Sequence, residues 1–424
     1  MVKIPEDSQL LPTRKGGLLV SPSYGLYCAV YANEWDALHS AIHDQLWDLD
    51  DTIPAPLRER LIQHGFGDKP RPFKSEGHLI QFQVTNACNL HCIYCAVESG
   101  HARPNELSLE IIKHAIDEAV DIFPDIHISF TGGEPLIVPW IFEAMDYAAS
   151  KTTAQIALLS NLVLLKNNEN LFHKVVAFLR AGHQVRMSIS AVDREACNRL
   201  SGKKCYDDAI AVIQRFEKEG VFPELDIPLS APDVQANCNA LTHFRRSIPQ
   251  AMNYSFCTMY LGGREKGDHV FSSRDEQENA LDDLSFEGGI RLNFPEPSPT
   301  TFRRIGCRCM NDEQLYVRSD GAVFPCFRLI GQIGHLSEGV KNIVERRRHA
   351  QLPIDIEPCR ACPFALLCAG GCFSDRWLYQ QTHQEPVCGP WRKKLIAEML
   401  FEDRPEVLDW DILFLMAESR KRGL

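Results

Sequence analysis

No apolar run in this sequence approaches the roughly 20 residues that a membrane-spanning helix needs, which excludes an integral helical membrane protein. The opening stretch, Met1-Val2-Lys3-Ile4-Pro5-Glu6-Asp7, lacks the apolar core of a signal peptide, so a cytoplasmic setting is expected. Positive charge is in short supply. Lys and Arg number 45 against 56 Asp and Glu, a net charge of −11, which argues against a protein held to nucleic acid by its phosphates. Internal repeats and low-complexity tracts are absent too, so neither a solenoid nor a disordered scaffold is indicated. With 45% hydrophobic and 24% charged residues the composition is that of a globular protein, and 424 residues at about 150 per domain imply about three compact units.

Cysteine, by contrast, is abundant, with 16 in the chain. In a reducing compartment disulfides do not persist, which leaves isolated core residues, metal ligands or redox groups. Cys88, Cys92 and Cys95 lie together, and eight more fall between Cys307 and Cys388. Cys28, Cys197, Cys205, Cys238 and Cys257 stand alone, without a Cys or His neighbour at ligand spacing, and are expected to be small buried hydrophobes.

Three further stretches organise the chain. In residues 10–66, Gly17–Val20 and Leu26–Tyr31 flank a turn-rich Ser-Pro-Ser-Tyr-Gly and read as a hairpin. Asn33 is the expected N-cap of a helix over Glu34–Ile42, and a second helix is expected near Pro56–His64. Hairpin plus helices is a winged-helix-like module, closed by the linker Asp68-Lys69-Pro70-Arg71-Pro72. From Leu79 to about Gly263, strands alternate with amphipathic helices: strands over Leu79–Thr85, Ile126–Phe130, Ile156–Ser160, Val185–Ser190, Leu225–Leu229 and Tyr254–Tyr260, with the clearest helices over Leu109–Ile122, Ile141–Ser150, Leu171–Ala181 and Tyr206–Glu219. Repeated β-α units imply an α/β fold with a parallel sheet, and six units without a seventh and eighth imply an incomplete (β/α)6 TIM-type barrel. The expected domains are therefore 1–72, a barrel at 73–295, a Cys-rich domain at 296–392 beginning at the Pro-rich Pro295–Pro299, and a helical tail at 393–424.

Directly after the first barrel strand comes Cys88-Asn89-Leu90-His91-Cys92-Ile93-Tyr94-Cys95. Three thiolates on one short loop can hold three corners of a [4Fe–4S] cubane and leave the fourth iron open to chelate a ligand. A structural zinc is the alternative, with His91 as its fourth ligand, although adjacency to Cys92 places it poorly for a tetrahedron. The Cys-x3-Cys-x2-Cys spacing, with an aromatic before the last Cys, resembles the signature of radical SAM enzymes. That resemblance implies that the open iron binds the amino and carboxylate groups of S-adenosylmethionine (SAM), which one electron then cleaves to a hydrogen-abstracting 5′-deoxyadenosyl radical. It places Tyr94 near the adenine; packing of the loop is the other role open to this ring.

Further along, Thr131-Gly132-Gly133-Glu134-Pro135 follows the second strand, where two glycines permit close backbone approach and the proline stiffens the exit. This resembles the Gly-Gly-Glu-Pro motif of the same family, which implies that Gly132, Gly133, Glu134 and Pro135 hold the SAM amino group. By the same resemblance Ser160-Asn161 lies where the family binds the ribose. Ser188 and Ser190 would line the pocket at a strand end where many relatives carry Asp, and no acid or proton acceptor is assigned there.

Gly321-x4-Cys326, with Cys307 and Cys309 upstream, is followed by Cys359-x2-Cys362-x5-Cys368-x3-Cys372 and then Cys388. A pair of structural zinc knuckles would account for the thiolates alone. The pattern resembles the SPASM extension of radical SAM enzymes, which implies two auxiliary [4Fe–4S] clusters, one on Cys307, Cys309, Cys326 and Cys372 and one on Cys359, Cys362, Cys368 and Cys388. Anaerobic sulfatase maturases share the layout but carry a base Asp directly after the Gly-x4-Cys, where this chain has Phe327. The N-terminal module resembles the recognition elements of peptide maturases, which bind a leader peptide as an added strand. A DNA-reading role would want a basic helix, and Glu34-Trp35-Asp36-Ala37-Leu38-His39 is acidic; a simple cap over the barrel is the remaining alternative.

The resulting expectation is a radical SAM/SPASM maturase. Three [4Fe–4S] clusters, SAM and a flavodoxin- or ferredoxin-type reductant would serve hydrogen abstraction from a ribosomally made precursor peptide, followed by carbon–carbon or thioether cross-linking. A formylglycine maturase and an iron–sulfur redox-sensing DNA-binding regulator are the alternatives; a regulator would release no 5′-deoxyadenosine from SAM and dithionite. Anaerobic reconstitution should give about 12 iron and 12 sulfide per chain, and changing Cys88, Cys92 and Cys95 together to Ala should leave about 8 and abolish SAM cleavage. Iron analysis and chromatography of the nucleoside products check this, and 5′-deoxyadenosine from the triple variant would refute the cluster assignment.

Overall fold

A computed structural model of the full chain describes residues 2–45, 47–49, 52–67, 78–259, 262–270, 314–329, 331–348, 359–368, 390–404, 418–419 and 422–424. Cys307, Cys309, Cys372 and Cys388, and the Pro295–Pro299 boundary, lie outside the described residues. The chain divides into two units. One comprises Met1–Glu76, Pro295–Asn311 and Ala350–Leu424, the other Gly77–Phe294 and Asp312–His349. Among the described residues no helix is long and apolar enough to cross a membrane.

The first unit begins with strands β1 (Gln9–Thr13), β2 (Gly16–Ser21) and β3 (Leu26–Tyr31), an antiparallel meander with β2 in the centre, followed by helices α1 (Trp35–His43) and α2 (Ala55–Gln63). The expected hairpin is β2–β3. Strand β1 was not anticipated, because Gln9-Leu10-Leu11-Pro12-Thr13 does not alternate and carries a proline, which an edge strand tolerates. Helix α1 is capped at Glu34 and not at Asn33: the Glu34 carboxylate accepts from the Tyr31 backbone N–H at 2.9 Å and pairs with Arg60. The sheet is buried on both faces. Leu19, Leu26, Cys28 and Val30 pack with Leu38, Leu57 and Leu61 of α1 and α2. Their neighbours Leu18, Val20, Tyr27 and Ala29 pack with Phe364, Leu367 and, from the helix Pro390–Phe401, Ile396 and Leu400. The period-2 geometry of a strand sends alternate residues to these two cores.

The second unit is built on β4 (Leu79–Gln83), β5 (His127–Thr131), β6 (Ile156–Ser160), β7 (Gln184–Ser188), β8 (Glu224–Leu229) and β9 (Tyr254–Thr258), parallel and side by side in chain order. Three more strands, β10 (Gln314–Val317), β11 (Ala322–Phe324) and β12 (Gly334–His335), extend it beyond β4, with β10 parallel to β4 and the last two antiparallel. The ends of this sheet, β12 and β9, do not pair, so it is open, as six β-α units imply. Helices α3 (Leu109–Ile122), α4 (Ile141–Lys151), α5 (Glu169–Arg180), α6 (Arg194–Leu200), α7 (Tyr206–Glu219), α8 (Val234–Ser247) and α9 (Val340–Arg348) complete it. Side chains fix several starts: Ser108 accepts from the Ile111 N–H, Asn168 from Leu171 and Asp193 from Ala196. Helix α7 stops at Gly220, whose φ of +66° suits glycine. Because the six strands are parallel, all their C-terminal ends open on one side, where ligands of such folds bind.

Leu400 lies at 0% exposure in the core shared by β2, β3 and the Pro390–Phe401 helix. Leu400→Ala should therefore cost about 2–5 kcal/mol in urea unfolding of the full chain.

Candidate active site

The loop after β4 carries the three adjacent cysteines, and backbone hydrogen bonds hold it from several sides. Cys88 N–H donates to the Gly100 carbonyl at 3.1 Å, while His91 and Ile93 donate to Ser201 and Leu200 at 3.0 and 2.9 Å. From the end of β5, Gly133 donates to Thr85 at 2.7 Å and Glu134 to Ala87 at 2.8 Å. A Cβ on Gly133 would stand 2.2 Å from the Ala87 oxygen, and one on Gly132 2.9 Å from that of Thr85. What the two glycines accommodate here is the cysteine loop's own backbone.

Glu134 is fully buried. Its carboxylate accepts from Ser160 Oγ at 2.6 Å, the Asn161 N–H at 2.9 Å and the Leu136 N–H at 3.0 Å. Burial pushes its carboxyl above the ordinary value, opposed by those three donors. Pro135 opens a 3-10 turn, Pro135–Ile137, in which Pro135 and Leu136 are buried. Asn161 in turn donates from Nδ2 to Asn89 Oδ1 at 2.9 Å, which ties the end of β6 to the cysteine loop.

These elements enclose a cavity of about 350 Å³. Cys88, Cys92, Cys95, Tyr94, Gly132, Gly133, Ser160, Asn161, Ser188 and Ser190 all line it; Glu134 and Pro135 are not among its lining residues. Tyr94 hydroxyl and Ser190 Oγ lie 2.8 Å apart, and burial pushes the phenol well above its usual range. His91 is exposed and does not line the cavity, so it is not positioned as a fourth metal ligand.

Several other walls of the cavity carry no motif. Arg186 of β7 and Asp226 of β8 form an ion pair at 2.6 Å, with Ser255 Oγ donating to Asp226 at 3.0 Å. Asp226 is the one carboxylate among the described lining residues. The alternation Gln-Val-Arg-Met-Ser in β7 and Glu-Leu-Asp-Ile-Pro in β8 was the available signal, since period 2 sends those polar residues to one face. Among the isolated cysteines, Cys28, Cys197, Cys205 and Cys238 are buried as expected and Cys257 is half-buried; Cys197, Cys205 and Cys257 also line this cavity. Cys197 and Cys205 are hydrogen-bonded to each other, which lowers the Cys205 thiol below its ordinary value and raises that of Cys197.

The donor chemistry fits an iron–sulfur cluster. Burial, joined by repulsion from the neighbouring thiolates, raises Cys88 to about 11 and Cys92 to about 12. Such thiols become good ligands once a metal takes the charge. Among the described residues no three Cys, His or carboxylate side chains converge as a ready-made ion site. A cubane asks for less convergence than a single ion, because each thiolate takes a separate iron corner. Cys326, buried at the end of β11, follows the tight turn at Gly321, whose φ is +87° and whose Cβ would meet the His335 ring at 2.9 Å. Its neighbour Phe327 lines the cavity. In the first unit, Cys362 and Cys368 are partly buried against the second core of the three-stranded sheet, Cys359 lies three residues before Cys362, and Arg392 Nη2 lies 3.7 Å from Cys368 Sγ.

With this site at the open ends of a parallel sheet, residues 82–229 match the Radical SAM superfamily. Over those residues the chain carries a radical SAM domain. It is similar to the antilisterial bacteriocin subtilosin biosynthesis protein AlbA of Bacillus subtilis strain 168, at 24% identity over 388 residues, 86% of this chain and 82% of AlbA. In fold it resembles Streptococcus suis SuiB bound to S-adenosylmethionine, with a TM-score of 0.52 and 15% identity over 89% of this chain and 96% of that one. Native anSMEcpe with bound AdoMet gives a TM-score of 0.55 at 16% identity, over 81% and 99% of the two chains. The cluster of this superfamily supplies the electron that cleaves SAM.

Gly133→Ala should displace the cysteine loop, lowering iron retention and cutting SAM cleavage at least about tenfold. Gly220→Ala, where a Cβ would meet nothing within 4 Å, should cost only the left-handed strain of about 1–2 kcal/mol and leave SAM cleavage intact. Iron analysis, urea unfolding and 5′-deoxyadenosine release separate the two variants.

Proposed function

We propose that this enzyme matures a ribosomally made precursor peptide, abstracting a hydrogen atom from it and joining the resulting carbon to a second carbon or a sulfur of the same peptide. The observation that carries this reading is the length of the similarity to AlbA, 86% of this chain and 82% of AlbA, which extends well beyond the radical SAM residues 82–229. SuiB has also been solved bound to its precursor peptide SuiA, in a fold like this one. In this reading Tyr94, Gly132, Gly133, Ser160, Asn161 and Ser188 contact SAM, and buried Glu134 and Pro135 hold the strand end that receives its amino group. Cys88, Cys92 and Cys95 hold the cluster that cleaves it.

After one hydrogen is abstracted, the peptide radical must still lose an electron and a proton to close a cross-link. An auxiliary cluster with Cys326 among its ligands, as the SPASM-like spacing implies, provides an electron acceptor separate from the SAM-cleaving cluster. Residues 359–368 would hold a second one with Cys388, and a flavodoxin- or ferredoxin-type protein would deliver the starting electron. Phe327 argues against the formylglycine reaction, because its aromatic ring stands at the position expected for a proton acceptor. The N-terminal sheet has two edges, β1 and β3, on which a leader peptide can add as a strand.

The test is a search for a short reading frame beside the gene and co-expression of the two, followed by mass spectrometry. An oxidative cross-link removes the mass of two hydrogens per bond, and unchanged peptide overturns the proposal. Soluble Cys326→Ala protein that keeps the first cluster should release 5′-deoxyadenosine with peptide present but form no cross-link. Native cross-linking by that variant, with its auxiliary cluster lost, would sink the electron-acceptor role.

A further inference from the structure

Beyond β9 the chain returns to the cysteine loop through residues 262–270, and one side chain there is committed to it. Gly263, with φ of +57°, brings its backbone so close that a Cβ would stand 2.2 Å from the Cys95 oxygen. Arg264 N–H donates to that same oxygen at 3.1 Å. Its guanidinium donates from Nε to the Cys92 carbonyl at 2.8 Å and from Nη1 to the Ser99 carbonyl at 2.7 Å. The remaining nitrogen, Nη2, is buried and has no acceptor among the described residues, although Arg264 lines the cavity that holds the three thiols. Buried N–H groups of a cation are costly to leave unpaired. The segment that carries the arginine is itself fixed. Buried Glu265 accepts from the Gly267 and His269 N–H groups at 2.7 and 3.2 Å and pairs with His269 Nδ1 at 2.9 Å. His269 in turn accepts, through its carbonyl, from the Ala231 N–H at 2.9 Å beyond β8.

We propose that Arg264 is a positioning residue for the SAM-cleaving cluster, locking the cysteine loop through the Cys92, Cys95 and Ser99 carbonyls and giving its Nη2 hydrogen bond to a cluster sulfur. The acceptor missing from the protein arrives with the cluster. A planar fork serves here because two divergent carbonyls and a third acceptor must be met at once, which an ammonium on a flexible stem does poorly. Hydrogen bonds to sulfur and net charge both set a cluster's potential, so a cation in this position favours the reduced, more negative state that donates to SAM. This rests on a cluster at Cys88, Cys92 and Cys95 and is independent of which peptide is modified.

The experiment compares anaerobically reconstituted full-length wild type, Arg264→Gln and Arg264→Lys. EPR-monitored redox titration follows the cluster whose signal changes on adding SAM, and iron loss to a chelator is timed. Arg264→Gln should lower the reduction equilibrium constant about tenfold, a shift of about 59 mV to lower potential for one electron, and should lose iron faster. Arg264→Lys keeps the charge and should recover most of the potential while still losing iron faster than wild type; it also serves if the glutamine variant does not fold. Wild-type potential and iron retention in Arg264→Gln would overturn the proposal. So would weakened SAM binding with an unchanged potential, which would assign Nη2 to the SAM carboxylate. A wild type without a SAM-responsive signal would instead refute the cluster reading on which the proposal stands.

Discussion

The site depends on one close approach of backbone to backbone. The end of β5 meets the start of the cysteine loop through backbone hydrogen bonds from Gly133 to Thr85 and from Glu134 to Ala87, and neither Gly132 nor Gly133 has room for a Cβ. That contact registers two strand ends against each other. Bonds from His91 and Ile93 to the turn after α6 hold the far side of the loop. Because main-chain groups carry the load, the loop's thiols remain free to face the cavity. Beneath it Glu134 performs the complementary task, gathering Ser160, Asn161 and Leu136 so that the ends of β5 and β6 are fixed to each other as well.

The electrostatics of the cavity follow from what the fold buries there. Cys88 and Cys92 are held well above the ordinary thiol range, so at neutral pH both are protonated until metal arrives. Loading a metal cluster on them would therefore release protons. The only paired charges among the described lining residues are Arg186 and Asp226, set lower in the sheet between β7 and β8. With Arg264 they are the charged side chains of a cavity otherwise walled by thiols, hydroxyls, the Asn161 amide and apolar groups.

Much of the second unit was legible because its chemistry and its geometry share one grammar. β6 begins and ends at Ile156 and Ser160 as expected, and α3 and α7 match at both termini, because long apolar periodicity and clear caps agree there. Helix α8 was missed although Val234, Cys238, Leu241 and Phe244 are buried at helical spacing, since the stretch is polar overall. The cysteine loop and Gly-Gly-Glu-Pro were visible as motifs. Why the glycines are needed was not visible, because the partner, the loop's own main chain, is some 45 residues distant in sequence. Arg264 and Asp226 lay hidden for the same reason: each is an ordinary charged residue until the fold gives it a neighbour. Cys197 and Cys205 are buried as read, but spacing along the chain cannot reveal that they also share a cavity wall.

The three-stranded sheet at the N-terminus carries a consequence for protein engineering. Continuous in sequence, it is half of a discontinuous object, since the face bearing Leu18, Val20 and Tyr27 is completed by Phe364, Leu367 and the Pro390–Phe401 helix. Grafting the first 70 or so residues onto another enzyme would carry across one core and leave the other uncovered. A chimera that carries this sheet must therefore transplant the C-terminal helix together with the strands, or redesign the apolar side chains on the orphaned face.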